Sequence, residues 1–368
     1  MNTATDVLVV GAGIVGLAHA VEALERGLAV TVVERDARAV GASVRNFGHA
    51  CVTGQSGDLA VLAHMARERW LELDDRAGLG ARATGGLAVA RHATELAVLE
   101  ELAAIRPGEV ELRTAAQVRT ELPGGGAGDV VGGAALRADL RVDPRVTVAR
   151  LAAWVDAQDR AQVRFGTAYL GFDGTRAHTS RGTIEAGRVI VCVGHDLDHL
   201  LPELAEEHRV QRCALQMARA ADPGTVVAPA VLTATSLLRY PAFAETAAAG
   251  ALRTRMAADR PDLLAIDANV MFTQRPDGTL LIGDSHHTDR TVGPFLDEAV
   301  TETLRAEAAR IMGLDELRII ERWQGVYASS ALHPYLVAEP EEHLSVRIVT
   351  SGVGMTIAHG LARRHFPT

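Results

Sequence analysis

Two glycine clusters, one acid and a scatter of arginine, tyrosine and histidine carry the chemistry open to this 368-residue sequence. The first cluster is Gly11-Ala12-Gly13-Ile14-Val15-Gly16, followed by Glu34 and Arg35. Three glycines at this spacing suit a pyrophosphate. Gly11 permits a tight turn, Gly13 lets backbone approach the phosphates, and Gly16 lets a helix pack close to the preceding strand. The first-turn amides of such a helix, around Ile14 and Val15, have no intrahelical partner and carry partial positive charge. Glu34 is placed to accept hydrogen bonds from a ribose.

The surrounding residues supply the elements that this chemistry needs. Residues 6–10, Asp-Val-Leu-Val-Val, form a short apolar run of the kind seen in a buried parallel strand. A helix over 17–26 ends at Gly27, and a strand over 29–33 delivers Glu34. Strand, glycine turn, helix, strand and acid occur in the order of a dinucleotide-binding βαβ unit, a Rossmann-like α/β arrangement. A second signature, Ser351-Gly352-Val353-Gly354-Met355-Thr356, follows a strand-like 346–349 and opens a helical stretch to Arg364. A ligand met by two helix N-termini is long, and FAD is such a ligand.

Composition narrows the partners. The net charge is -9 and no segment concentrates positive charge, so nucleic-acid binding is not expected. All 37 basic residues are arginine, which excludes a Schiff-base lysine and the lysine of a P-loop. Cys51, Cys192 and Cys213 show neither zinc spacing nor a disulfide framework, and a reducing cytoplasm fits. The apolar run over 7–21 is too short to span a membrane and contains glycines and His19, so no membrane partner is expected.

With these pieces in place, the chain resembles the D-amino-acid oxidase family of flavoproteins, which includes glycine oxidase and sarcosine oxidase. The resemblance is clearest at 6–50, 139–200, 280–290 and 320–365. It implies non-covalent FAD, with Gly11, Gly13, Ile14, Val15, Gly16, Glu34 and Arg35 at the ADP half. Ser43, Arg45 and Asn46 would lie on a loop running toward the flavin ring. Gly194 would pass near the adenine, and Gly352, Gly354, Met355 and Thr356 would meet the pyrimidine end of the ring. The runs R-N-F-G-H at 45–49, L-R-Y-P at 238–241, G-D-S-H-H at 283–287 and R-W-Q-G-V-Y at 322–327 look like a subgroup associated with aminophosphonate breakdown. The implied reaction is amine oxidation by hydride transfer to the flavin, giving an imine that hydrolyses. The implied electron acceptor is O2 or another oxidant. Sarcosine oxidase uses a lysine near the flavin and a cysteine that carries it; this chain has no lysine and no cysteine in its C-terminal third.

The candidate substrate residues are Arg239, Tyr240, His286, His287, Trp323, Gln324, Tyr327 and His49. A strand is expected to carry Arg239 and Tyr240 into a pocket, where the arginine can pair in bidentate fashion with a phosphonate or carboxylate. A surface arginine and a core tyrosine fit the same residues, and Trp323 reads equally well as core. His286 and His287, beside Asp284 and Asp289, superficially resemble a metal site, but neighbours on a strand point to opposite faces and do not readily share an ion, so no metal is expected. Small amino acids such as glycine or sarcosine are alternative substrates, and a flavin subunit silent without partners is a rival from another class.

Two glycine signatures so far apart require a discontinuous FAD-binding domain, expected over 1–80, 139–212 and 318–368. The expected substrate domain, over 81–138 and 213–317, is α+β with an antiparallel sheet. Residues 122–133 are expected to be a flexible surface loop or a domain crossing, and Asp143-Pro144 to start a helix over 146–156. Because no cysteine stands where a covalent link would be needed, the purified protein is expected to be yellow and to release intact FAD when denatured. Flavin remaining with the precipitated chain would contradict this.

Overall fold

A computed structural model of the chain describes residues 4–367. The strand Ala4–Val10 is buried along Val7–Val10, as a strand covered on both faces must be. It pairs in parallel with Val30–Val33 on one side and Gly182–Val191 on the other. The first sheet then runs, in spatial order, Tyr335–Glu341, Leu344–Val349, Gly182–Val191, Ala4–Val10, Val30–Val33 and Ala161–Arg164. Its outer hairpin, Tyr335–Glu341 with Leu344–Val349, is antiparallel, while Leu344–Val349 joins Gly182–Val191 in parallel. The strands Tyr169–Phe172 and Arg176–Thr179 extend it as an antiparallel flap.

The second sheet has the order Ile319–Ser329, Gln211–Ala220, Leu280–Asp289, Met271–Gln274, Ala230–Leu232, Gly86–Ala90, Gly132–Leu136 and Val110–Thr114. Its pairings are antiparallel except where Ala230–Leu232 runs parallel to Gly86–Ala90. Those two strands come from separate segments, so no hairpin dictates their relative direction. Ile319–Ser329, grouped at the sequence level with the nucleotide-binding segments, instead pairs along its whole length with Gln211–Ala220. Such a long-range pairing leaves no local signature, because each strand shows only its own alternation. The expected loop over 122–133 likewise ends inside the strand Gly132–Leu136. The helix after Asp143 spans Pro144–Asp156, and the Asp143 carboxylate accepts from the Arg145 amide at 3.1 Å.

Three helices hold the first sheet to the cavity described below. Ile14–Glu25 leaves the first glycine turn, Gly354–Arg364 leaves the second, and Gly57–Ala77 packs along Gly354–Arg364. At Gly360 a Cβ would stand 2.1 Å from the Leu62 carbonyl oxygen, so the two backbones are in direct contact there. Trp70, fully buried, donates from Nε1 to the Met355 carbonyl at 2.9 Å and stacks edge-on against His359. Among the described residues no helix is long and apolar enough to cross a membrane.

This contact makes Gly360 a test of the architecture. Gly360→Ala must push the two helices apart, and overpacking of this kind costs about 1–3 kcal/mol. The variant is expected to melt several degrees lower and to bind FAD more weakly, because the displaced helix carries Gly354, Met355 and Thr356. Wild-type stability and flavin retention would show that the contact is unimportant.

Candidate functional site

A continuous cavity of about 510 Å³ connects the first glycine turn to the second sheet. At one end its wall includes Gly11, Gly13 and Glu34, and at the other Arg239, Asp284 and Tyr327. Gly11 has φ +103°, and a Cβ there would lie 2.7 Å from the Cys192 carbonyl, so only glycine makes this turn. Ile14 and Val15 follow in the first helical turn and line the cavity, with Gly16 behind them packing the helix onto the strand. The Glu34 carboxylate is held by two amides, Ala12 at 3.0 Å and Asp36 at 3.1 Å, and keeps further lone pairs for a ligand. Arg35 is largely exposed and pairs with Asp196 at 2.8 Å at the cavity edge, next to the turn at Gly194.

The loop after the second strand is pinned from both sheets. Ser43 Oγ accepts from the Ile14 amide at 2.9 Å. Asn46 donates to Ala42 and Ser43 carbonyls and accepts from Gly48, which fixes the loop's shape. Arg45 donates to the Val40 carbonyl at 2.6 Å and to the Gln324 carbonyl at 3.3 Å. The second sheet answers with Trp323 Nε1 on the Arg45 carbonyl at 3.2 Å and Thr273 on the Phe47 carbonyl at 2.7 Å. Trp323, which also carries the Arg145 guanidinium over its ring, is thus a brace for this loop and is not part of the cavity wall.

His49, at the end of that loop, is buried and lies 2.8 Å from Asp139 through Nε2. Asp139 also accepts from the Thr53 amide at 2.8 Å. The other imidazole nitrogen, Nδ1, is buried without a protein partner, although His49 is on the cavity wall. An orphaned buried nitrogen on the wall, two glycine turns opening onto the same space and Glu34 at its far end fit FAD. The second turn contributes Gly352, against the Tyr327 ring, together with Gly354, Met355 and Thr356. Thr356 Oγ1 accepts from the Cys51 amide at 3.1 Å. His49, Cys51 and Asp139 are close enough together to suggest a metal site, but burial pushes the Cys51 thiol well up, and a protonated thiol is a poor ligand.

At the opposite end, Arg239 closes the helix Ala234–Arg239 and does not sit on a strand. A capping box between Thr233 and Ser236 starts this helix and Pro241 follows its end, a local signal that the apolar Leu237-Leu238 obscured. The Arg239 guanidinium donates to the Tyr327 hydroxyl and to Asp267, each at 3.1 Å. Burial works against its charge, but Tyr327, Asp284 and Asp267 outweigh that and raise its pKa. Tyr240, its neighbour, lines the cavity and donates to the Met271 sulfur at 3.7 Å.

His286 and His287 separate as strand neighbours do: His286 faces the cavity and His287 is exposed, away from it. The same alternation takes Gln324 off the face of Gly325 and Tyr327, and its amide donates to the Gly293 carbonyl at 2.7 Å. His286 Nδ1 is 2.8 Å from the Asp267 carbonyl, which can only accept, so Nδ1 carries the proton and Nε2 is bare. Burial, reinforced by Arg239, lowers the His286 pKa to about 3. Asp284, 4% exposed, has its carboxyl pushed up to about 7 by burial, with Arg239 partly opposing. One of its oxygens, Oδ1, has no hydrogen-bond partner. Asp139 and Asp267 carry no sequence motif, and Asp284 was legible only as a neighbour of the histidine pair.

The buried acid predicts a pH-dependent cost in stability. Between the unfolded carboxyl value of about 4 and the folded value of about 7, the native state holds a proton that the unfolded chain has lost, so stability falls as pH rises through this window. Asp284→Asn removes that dependence. Its melting temperature is expected to match wild type near about pH 4, rise above it through the window and stay higher above about pH 7. A variant that is less stable at high pH would contradict the assignment.

The comparisons with known proteins agree with this geometry. A family profile described as "FAD dependent oxidoreductase", DAO, matches residues 6–364. No curated protein matches the sequence. Among solved structures, glycine oxidase from Geobacillus kaustophilus is 19% identical with a TM-score of 0.78, covering 99% of this chain and 94% of its own. L-alpha-glycerophosphate oxidase from Mycoplasma pneumoniae, solved with FAD bound, is 17% identical with a TM-score of 0.76, covering 99% and 94%. Iminodiacetate oxidase from Chelativorans sp. BNC1 is 18% identical with a TM-score of 0.73, covering 98% and 95%. At these identities the likeness is one of fold, while the family profile spans nearly the whole chain: the protein belongs to the DAO family of FAD-dependent oxidoreductases.

Proposed function

We propose that this enzyme oxidises a small amine bearing an anionic group, with 2-aminoethylphosphonate or its N-methyl form as the favoured substrate. The observation that carries the reading is Arg239, a half-buried guanidinium at the end of the cavity opposite Glu34. The chain is acidic overall, so an anion needs a local cation to enter, and a guanidinium offers paired donors to phosphonate or carboxylate. Bound FAD would supply the hydride-accepting chemistry for the amine-bearing carbon, and the resulting imine would hydrolyse in water. The residues hold the anion at Arg239, close the site with Tyr240 and Tyr327, and direct the N-terminus of the last helix, at Gly354 and Met355, toward negative charge.

Glycine- or sarcosine-type amino acids share the same pairing of anion and amine. Two structural neighbours, named as glycine oxidase and iminodiacetate oxidase, favour keeping them in the comparison. Anaerobic bleaching of the bound flavin by 2-aminoethylphosphonate, its N-methyl form, sarcosine, glycine and an uncharged amine reports substrate use whatever the final oxidant. Arg239→Met is expected to raise KM for the anionic amines by a factor of roughly 30 or more, equivalent to about 2–3 kcal/mol, and scarcely to affect the uncharged amine. A wild-type preference for the uncharged amine, or equal loss on every substrate, would make Arg239 structural.

A further inference from the structure

An alkylammonium ion is fully protonated near neutral pH, with a pKa like that of lysine at about 10.4. Hydride departure from the adjacent carbon needs a lone pair on nitrogen, so the ammonium must first lose a proton. Most polar groups at this end of the cavity cannot take it. Arg239 is a cation, and the Tyr240 and Tyr327 phenols are held protonated by burial. Asp267 is 68% exposed and committed to Arg239. His49 belongs to the loop at the cofactor, with Nε2 on Asp139 and its free Nδ1 among the groups that fit FAD.

Asp284 and His286 remain. Their facing atoms, Asp284 Oδ2 and His286 Nε2, are 3.7 Å apart, too far for a direct hydrogen bond. Nε2 is bare because Nδ1 donates to the Asp267 carbonyl, and Asp284 Oδ1 has no hydrogen-bond partner among the described residues. Two acceptors that face one another across such a gap are satisfied by a donor placed between them, and an ammonium group brings three N–H bonds.

We propose that Asp284 and His286 form the amine end of the substrate site, with Asp284 accepting the ammonium proton while His286 Nε2 orients the nitrogen. This rests on the amine-oxidation reading above. In the step, one N–H bond breaks and its electron pair stays on nitrogen. The proton forms an O–H bond on the Asp284 carboxylate, and no electrons are exchanged. An ammonium and a carboxylate become a neutral amine and a neutral acid, which relieves two buried charges together, while Arg239 keeps the substrate's anion. A carboxyl poised at about 7 is suited to both halves of this exchange. The groups that tune it from the neighbouring elements are Arg239 and Tyr240 on the helix side, Asn269 and Asp267 on the preceding segment, and Tyr327 on Ile319–Ser329 of the same sheet.

The test is the pH profile of anaerobic flavin bleaching by 2-aminoethylphosphonate and sarcosine in the FAD-loaded wild type, Asp284→Asn, Asp284→Glu and His286→Gln. Wild type is expected to lose rate below about pH 7. Asp284→Asn should bleach at least about 100-fold more slowly at pH 7 and recover about tenfold per pH unit as free amine accumulates in solution. Asp284→Glu should retain the acid limb at reduced rate, and His286→Gln should slow bleaching while keeping that limb. Dithionite reduction and the flavin absorbance spectrum verify that each variant holds its cofactor. If wild type is bleached by amines but Asp284→Asn shows the wild-type profile, or a loss that does not vary with pH, this assignment is wrong and the amine reading stands. If no amine bleaches wild type, the amine reading fails and this assignment with it.

Discussion

The close approach of the helix Gly354–Arg364 to Gly57–Ala77 is the contact on which the rest of the site depends. A missing side chain at Gly360 lets one backbone meet the other, and Trp70 then ties itself to the Met355 carbonyl in the first turn. That seating brings the N-terminus of the last helix to the start of the first, with Gly354 near Ile14. Two partial positive charges from opposite ends of the chain thereby open onto one cavity. A long cofactor with a pyrophosphate at its middle and an electron-poor ring at one end is served by such an arrangement, and neither turn provides it alone.

The second sheet contributes through the loop that it braces. Ser43 holds the loop to the first helix, while Trp323 and Thr273 hold its carbonyls from the opposite sheet. A bridge between Ser329 and Ser351 joins the sheets again beside the second glycine turn. His49 is delivered at the end of this doubly anchored loop, its ring fixed by Asp139 and its free nitrogen turned to the cavity wall. The loop is therefore positioned by rigid elements on both sides, which is how a binding site reaches a defined geometry on an irregular segment.

Electrostatics at the far end follows from burial. Arg239, Asp284, His286 and two tyrosines share a small volume, and the low local dielectric separates their proton affinities: the carboxyl rises, the imidazole falls and the guanidinium stays charged. A folded protein gains no stability from a buried acid whose proton affinity is raised. Its persistence in a cavity wall beside a cation is the pattern expected of a functional site, where stability is given up for chemistry.

The amino-acid sequence by itself determined the nucleotide-binding unit. The glycine turn, the apolar strand before it and the acid after it are encoded in contiguous residues, where backbone conformation and periodicity act locally. The second turn and the family resemblance were legible for the same reason. Only the tertiary structure decided the membership of Ile319–Ser329 in the second sheet, the helical setting of Arg239, and which of His286 and His287 faces inward. Asp139 beside His49 and Tyr327 beside Arg239 are likewise pairings across 90 and 88 positions of chain. Such contacts depend on which strands pair and which helices touch, and those choices are made by the packing of the whole core rather than by any segment's own sequence.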